Sequence, residues 1–66
     1  MQVMVNGRPL DVPDGATVAA LLEHMQLDGA RVAVERNQDV IPRRTWAACA
    51  LAPGDELEIV SFVGGG

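Results

Sequence analysis

The 66-residue chain has no lysine and no tyrosine, and only one cysteine, one tryptophan and one phenylalanine. A single Cys49 excludes an intramolecular disulfide and any zinc cage built from several cysteines. The near-absence of aromatics means that a core must be aliphatic, made of Val, Leu, Ile, Met and Ala. With hydrophobic residues at 48% there is enough material for one small core. At this length a chain without disulfide or metal staples is expected to be held by roughly 3–5 kcal/mol. All five positive charges are arginines, and the formal net charge is −4. That balance argues against binding to a phosphate backbone and favours partners with basic surfaces. No apolar run approaches a membrane span, and the first residues lack the basic lead and long apolar segment of a signal peptide. The expectation is one domain, residues 1–66, in the cytoplasm, binding neither nucleic acid nor membrane.

What is present is patterned. Met1, Val3 and Val5 alternate with Gln2 and Met4, and Asn6-Gly7 then signals a type I′ hairpin. A two-residue turn sets Val5 opposite Arg8, Val3 opposite Leu10 and Met1 opposite Val12, apolar facing apolar. Pro9 lacks a backbone N–H, so the second strand is expected at a sheet edge. Pro13-Asp14-Gly15 breaks the strand. Thr17 reads as an N-cap, and Val18, Leu21, Leu22 and Met25 form the stripe of a short helix. Asp28-Gly29 reads as its stop, with Gly29 as a left-handed cap. Val32 to Glu35 reads as a third strand and Asn37-Gln38-Asp39 as a turn. Val40-Ile41 reads as a short fourth strand closed by Pro42. Arg43 to Leu51 is ambiguous; Arg44 to Ala48 could form a helical turn that tucks Trp46 over the sheet. Ala52-Pro53-Gly54-Asp55 fits a type II turn. Glu56 to Val63 reads as the last strand, with Leu57 and Ile59 on one face and Glu58, Val60 and Phe62 on the other.

This order predicts an α+β fold: a mixed sheet of four to five strands with one helix packed across one face, the first and last strands central and parallel. That is the β-grasp, or ubiquitin-like, arrangement. If the helix covers the face of Leu57 and Ile59, then Val60 and Phe62 are left toward solvent as candidate docking residues, because one short helix covers one face only. Phe62 is the stronger anchor. Asp55, Glu56 and Glu58 put negative charge beside them, suited either to solubility or to steering toward a basic groove. The final Gly64-Gly65-Gly66 would form a flexible tail able to thread a channel too narrow for side chains.

Other residues with chemical potential read as structural. Cys49 lies in the apolar run Ala47-Ala48-Cys49-Ala50-Leu51, where packing is the expected role. His24 has no second histidine or converging carboxylates beside it, so no metal site is expected. Trp46 reads as a core plug, and Arg43-Arg44 as solvated. No nucleophile–base pair or phosphate loop is visible, which argues against an independent enzyme.

The chain resembles the ThiS family of ubiquitin-like sulfur carriers of thiamine biosynthesis, over essentially all residues. The resemblance is carried by Val5-Asn6-Gly7, Pro13 to Val18, Leu21-Leu22, Arg31 to Glu35, Ile41-Pro42-Arg43, Trp46, Gly54-Asp55, Glu58-Ile59-Val60 and Gly65-Gly66. One departure is Asn37-Gln38, where Asn followed by Gly, or a similar tight turn, is expected. The resemblance implies a protein co-substrate that binds no cofactor itself. A ThiF-like adenylyltransferase would use ATP to adenylate the Gly66 carboxylate. A sulfur donor such as a cysteine desulfurase would convert the adenylate to a thiocarboxylate. A ThiG-like thiazole synthase would take the sulfur for thiazole formation. A carrier for molybdopterin or another sulfur-containing product, and a ubiquitin-like protein modifier, are the alternatives.

Overall fold

The computed structural model describes residues 1–62. The expectations placed on Gly64, Gly65 and Gly66 fall outside the described residues. Five strands form one sheet in the order β2-β1-β5-β3-β4. They are β1 (Gln2–Val5), β2 (Arg8–Asp11), β3 (Val32–Arg36), β4 (Asp39–Val40) and β5 (Glu56–Ser61), with one α-helix, α1 (Val18–His24). β1 and β5 are adjacent and parallel, while β1–β2, β3–β4 and β3–β5 are antiparallel. This is the mixed β-grasp sheet expected from the sequence.

The first hairpin has the expected register, Val5 opposite Arg8 and Val3 opposite Leu10. Asn6 and Gly7 take φ of 51° and 81°, as a type I′ turn demands. Pro9 sits on β2, at the sheet edge, where its missing N–H breaks no ladder. Thr17 caps α1, its hydroxyl accepting from the Ala20 N–H at 3.1 Å. Val18, Leu21 and Leu22 turn the buried face of α1 onto the sheet. There they meet Val3 and Val5 of β1, Val32 and Val34 of β3, and Leu57 and Ile59 of β5 in one aliphatic core.

The helix stops earlier than Gly29. Gln26 carries the left-handed φ of 59°. The Leu27 N–H returns to the Leu22 carbonyl at 2.9 Å and the Gln26 N–H to the Glu23 carbonyl at 3.0 Å. This is a Schellman closure with glutamine where glycine is usual. Gly29 is not left-handed; it opens a 3₁₀ turn, Gly29–Arg31, capped by Asp28. Its smallness serves a different contact, since a Cβ there would meet Cζ3 of Trp46 at 3.1 Å.

Trp46 is brought in by a 3₁₀ helix, Arg43–Ala48, which resolves the ambiguous stretch as a tuck over the core. Its indole N–H donates to the Ile41 carbonyl at 2.9 Å, so the buried ring has its polar atom satisfied. The Arg43 guanidinium lies 5.7 Å from the ring centroid, a cation–π geometry in place of simple solvation. The second hairpin pairs Arg36 with Asp39, so the short strand starts at Asp39 and not at Val40. Asn37 and Gln38 both take positive φ, and the turn stays tight without the expected glycine. Ala52 to Asp55 closes as the expected type II turn, with Gly54 at φ 82° and the Asp55 N–H on the Ala52 carbonyl at 3.1 Å.

Candidate functional site

β5 is the central strand and the one that leads to the glycines. Leu57 and Ile59 point under α1 and are buried, while Glu56, Glu58 and Val60 point away from it and are exposed. Val60 is 57% exposed and Phe62 is 55% exposed. Glu58 and Val60 thus share the open side of the sheet, and Phe62, one residue past the strand, is exposed. The antiparallel register of β5 against β3 sets Val60 beside Ala33 and Glu58 beside Glu35. The hairpin register adds Val40, beside Glu35 and 70% exposed.

The open face therefore has two parts. Val60 and Phe62 form an apolar end near the last described residue. Glu35, Glu56 and Glu58 form an acidic middle, lining a shallow depression of about 400 Å³ together with Met4 and Gln38. Glu35 and Glu58 stand directly opposite each other, an arrangement that costs stability in a sheet. Glu35 was not singled out in the sequence; the signal for it was the pairing of its strand with β5, which no local pattern reveals.

Asp55 does not belong to this acidic surface. It is 8% exposed. Its Oδ2 accepts from the Ala52 N–H at 2.8 Å and lies 3.8 Å from the Arg36 guanidinium. Its Oδ1 accepts from the Asn37 side chain at 3.2 Å. The carboxylate builds the turn before β5 and is withdrawn from any steering role. Asn37 completes the same corner, its Oδ1 accepting from the Glu56 N–H at 3.0 Å.

The start of β5 is thus fixed from two directions. Its outer half is fixed by β3, where the Phe62 N–H reaches the Arg31 carbonyl at 2.7 Å, and by the Asn6 side chain, which bonds both backbone groups of Ile59. Cys49 is half-buried; its Sγ accepts from the Arg36 guanidinium at 3.5 Å. His24 is exposed in the last turn of α1. Among the described residues, no three His, Cys, Asp or Glu side chains are grouped to hold a metal ion. Among them, too, no helix is long and apolar enough to cross a membrane.

Comparison with known proteins places this geometry. The ThiS family profile matches residues 3–66. A sulfur carrier protein ThiS from Escherichia coli is 32% identical over 66 residues, covering 100% of both chains. A thiazole synthase from Paramagnetospirillum magneticum is 42% identical over 66 residues, and there the chain spans only 20% of its relative's length. A crystal structure of the thiamine biosynthesis protein ThiS from Geobacter metallireducens superposes with a TM-score of 0.86 at 33% identity, covering 100% of both chains.

Proposed function

The chain belongs to the ThiS family, and on that premise we propose that it is a sulfur carrier for thiazole formation in thiamine biosynthesis, bearing the sulfur on the carboxylate of Gly66. The observation that carries the reading is the family match over residues 3–66, which runs from within β1 through β5 to the glycines. The full-length similarity to a sulfur carrier of known name supports it. The similarity to part of a thiazole synthase supports a thiazole synthase as the acceptor's enzyme.

The chemistry follows from what the chain can and cannot supply. A carboxylate is ionised at neutral pH and is a poor electrophile. One of its oxygens attacks the α-phosphate of ATP in a ThiF-like adenylyltransferase, and pyrophosphate leaves. The terminal sulfur of a persulfide formed on a cysteine desulfurase then displaces AMP, and a thiol reductant cleaves the S–S bond of the resulting acyl disulfide to leave a thiocarboxylate. A ThiG-like thiazole synthase removes the sulfur. Metal and charge stabilisation for the phosphoryl step belong to the partner. The chain acts as a co-substrate in the cytoplasm and holds no cofactor.

Its own contribution is recognition. Phe62 and Val60 offer an apolar anchor beside the glycines, and Glu58 offers a charge for a basic rim. The glycines let a partner close around bare backbone.

Intact mass after incubation with ATP, an adenylyltransferase and a sulfur source tests the reading. The expected gain is that of one oxygen replaced by sulfur, mapped to Gly66. Gly65→Ala and Gly66→Ala are expected to lose loading while retaining the wild-type unfolding curve. No mass change, with the adenylyltransferase active on another carrier, would overturn it.

A further inference from the structure

β5 outruns its parallel neighbour. β1 ends at Val5, because Asn6-Gly7 turns the chain back into β2, whereas β5 continues to Ser61. The last backbone rung between them is the Asn6 N–H donating to the Leu57 carbonyl at 2.9 Å. The next rung is made by a side chain. Asn6 Oδ1 accepts from the Ile59 N–H at 2.8 Å, and Asn6 Nδ2 donates to the Ile59 carbonyl at 3.1 Å.

A carboxamide presents a donor and an acceptor side by side, as a peptide group does, so it can continue a ladder after the backbone has left. The position also demands φ of 51°. Asparagine tolerates that region better than most residues, and its short side chain brings the amide to the strand. Glycine would satisfy the turn and lose the rung. Aspartate would keep an acceptor for the Ile59 N–H and set an oxygen against the Ile59 carbonyl.

We propose that Asn6 is a positioning residue for the outer half of β5: by clamping Ile59 to the first hairpin, it fixes the direction in which β5 presents Phe62 to an adenylating partner. The inference rests on the carrier reading above. Without the clamp, the outer half of β5 is held on one side only, by β3. The partner would then have to order that segment as it binds, and the ordering cost falls on association. Once bound, the reacting groups are the same, so the loss belongs in KM and not in kcat.

The test compares wild type with Asn6→Gly and Asn6→Asp, both of which keep the turn. Amide hydrogen exchange is followed at Ile59, which reads the clamp directly, and at Val3 and Leu10, which read the first hairpin. Adenylation is measured as pyrophosphate release with Mg·ATP and an adenylyltransferase already shown to act on an established sulfur carrier. Asn6→Gly should exchange at Ile59 roughly tenfold faster or more, with Val3 and Leu10 little changed. Its KM for adenylation should rise on the order of tenfold, with kcat within about twofold. Asn6→Asp should raise KM to at least the same degree, because it replaces the donor with a repelled oxygen.

Unchanged KM in both variants, with wild type turning over normally, would overturn the positioning role and leave the carrier reading standing. Faster exchange throughout the sheet with no KM change would reduce Asn6 to a stabilising residue and would also overturn it. Absence of turnover with wild type itself would overturn the carrier reading and the proposal together.

Discussion

The two faces of the sheet are made by alternate residues of the same strands, yet they are built to different rules. On the covered face, Val3, Val34 and Leu57 are at most 2% exposed and interlock with α1. On the open face, one residue along, Val60 and Phe62 remain more than half exposed, and Glu35 faces Glu58. The covered face supplies what little stability a chain of this size has. The open face carries features that cost stability, namely apolar surface in water and like charges side by side.

The comparison breaks most visibly at Leu57. Leu57→Ala should cost about 2–5 kcal/mol, comparable to the whole stability expected for a small unstapled domain, so a urea titration should show the variant largely unfolded. If it unfolds at the wild-type midpoint, the covered face is not the source of stability.

Phe62→Ala should leave that midpoint within about 0.5 kcal/mol of wild type. It should weaken binding to the adenylating partner by about 2 kcal/mol, near thirtyfold, in a calorimetric titration. Equal binding would remove Phe62 from the docking surface.

The smallest effect, and the sharpest, is at Glu58. Glu58→Gln removes the facing charge and should stabilise the fold by about 0.2–1 kcal/mol. The same change should flatten the salt dependence of association with a basic partner. Destabilisation would mean that Glu58 has a structural partner and is not part of a recognition surface.

Much of this was legible in the sequence because it is local. Alternation along β5 assigns its faces, and Asn6-Gly7 with the apolar pattern of Met1 to Val12 fixes one register. The pair Pro53-Gly54 dictates its turn. What escaped depends on contacts distant in sequence. Asp55 looks like a surface charge until Arg36 and Asn37 are folded against it. Gly29 looks like a helix cap, but its need is room for Trp46, while the cap falls to Gln26, a residue with no local preference for the left-handed region. There the closure is held by the chain beyond it, with Leu27 packed against the core. Asn6 was legible as a turn residue; its second role required the far end of the chain to arrive beside it. The candidate site was legible in part for the same reason. Val60, Phe62 and Glu58 follow from alternation, whereas Glu35 and Val40 join them only through strand pairing.

Trp46 has one more consequence, for how the molecule can be observed. It is the one tryptophan, there is no tyrosine, and it is buried in the core cluster beside Gly29. Intrinsic fluorescence therefore reports almost solely on the covered side of the protein. Unfolding will change the emission strongly as the indole meets water. Docking on the opposite face, against the acidic strip and Phe62, will leave it nearly dark to the spectrometer unless the partner brings a chromophore of its own. For this chain, an unchanged emission spectrum on mixing is evidence that the fold has survived, and no evidence that nothing has bound.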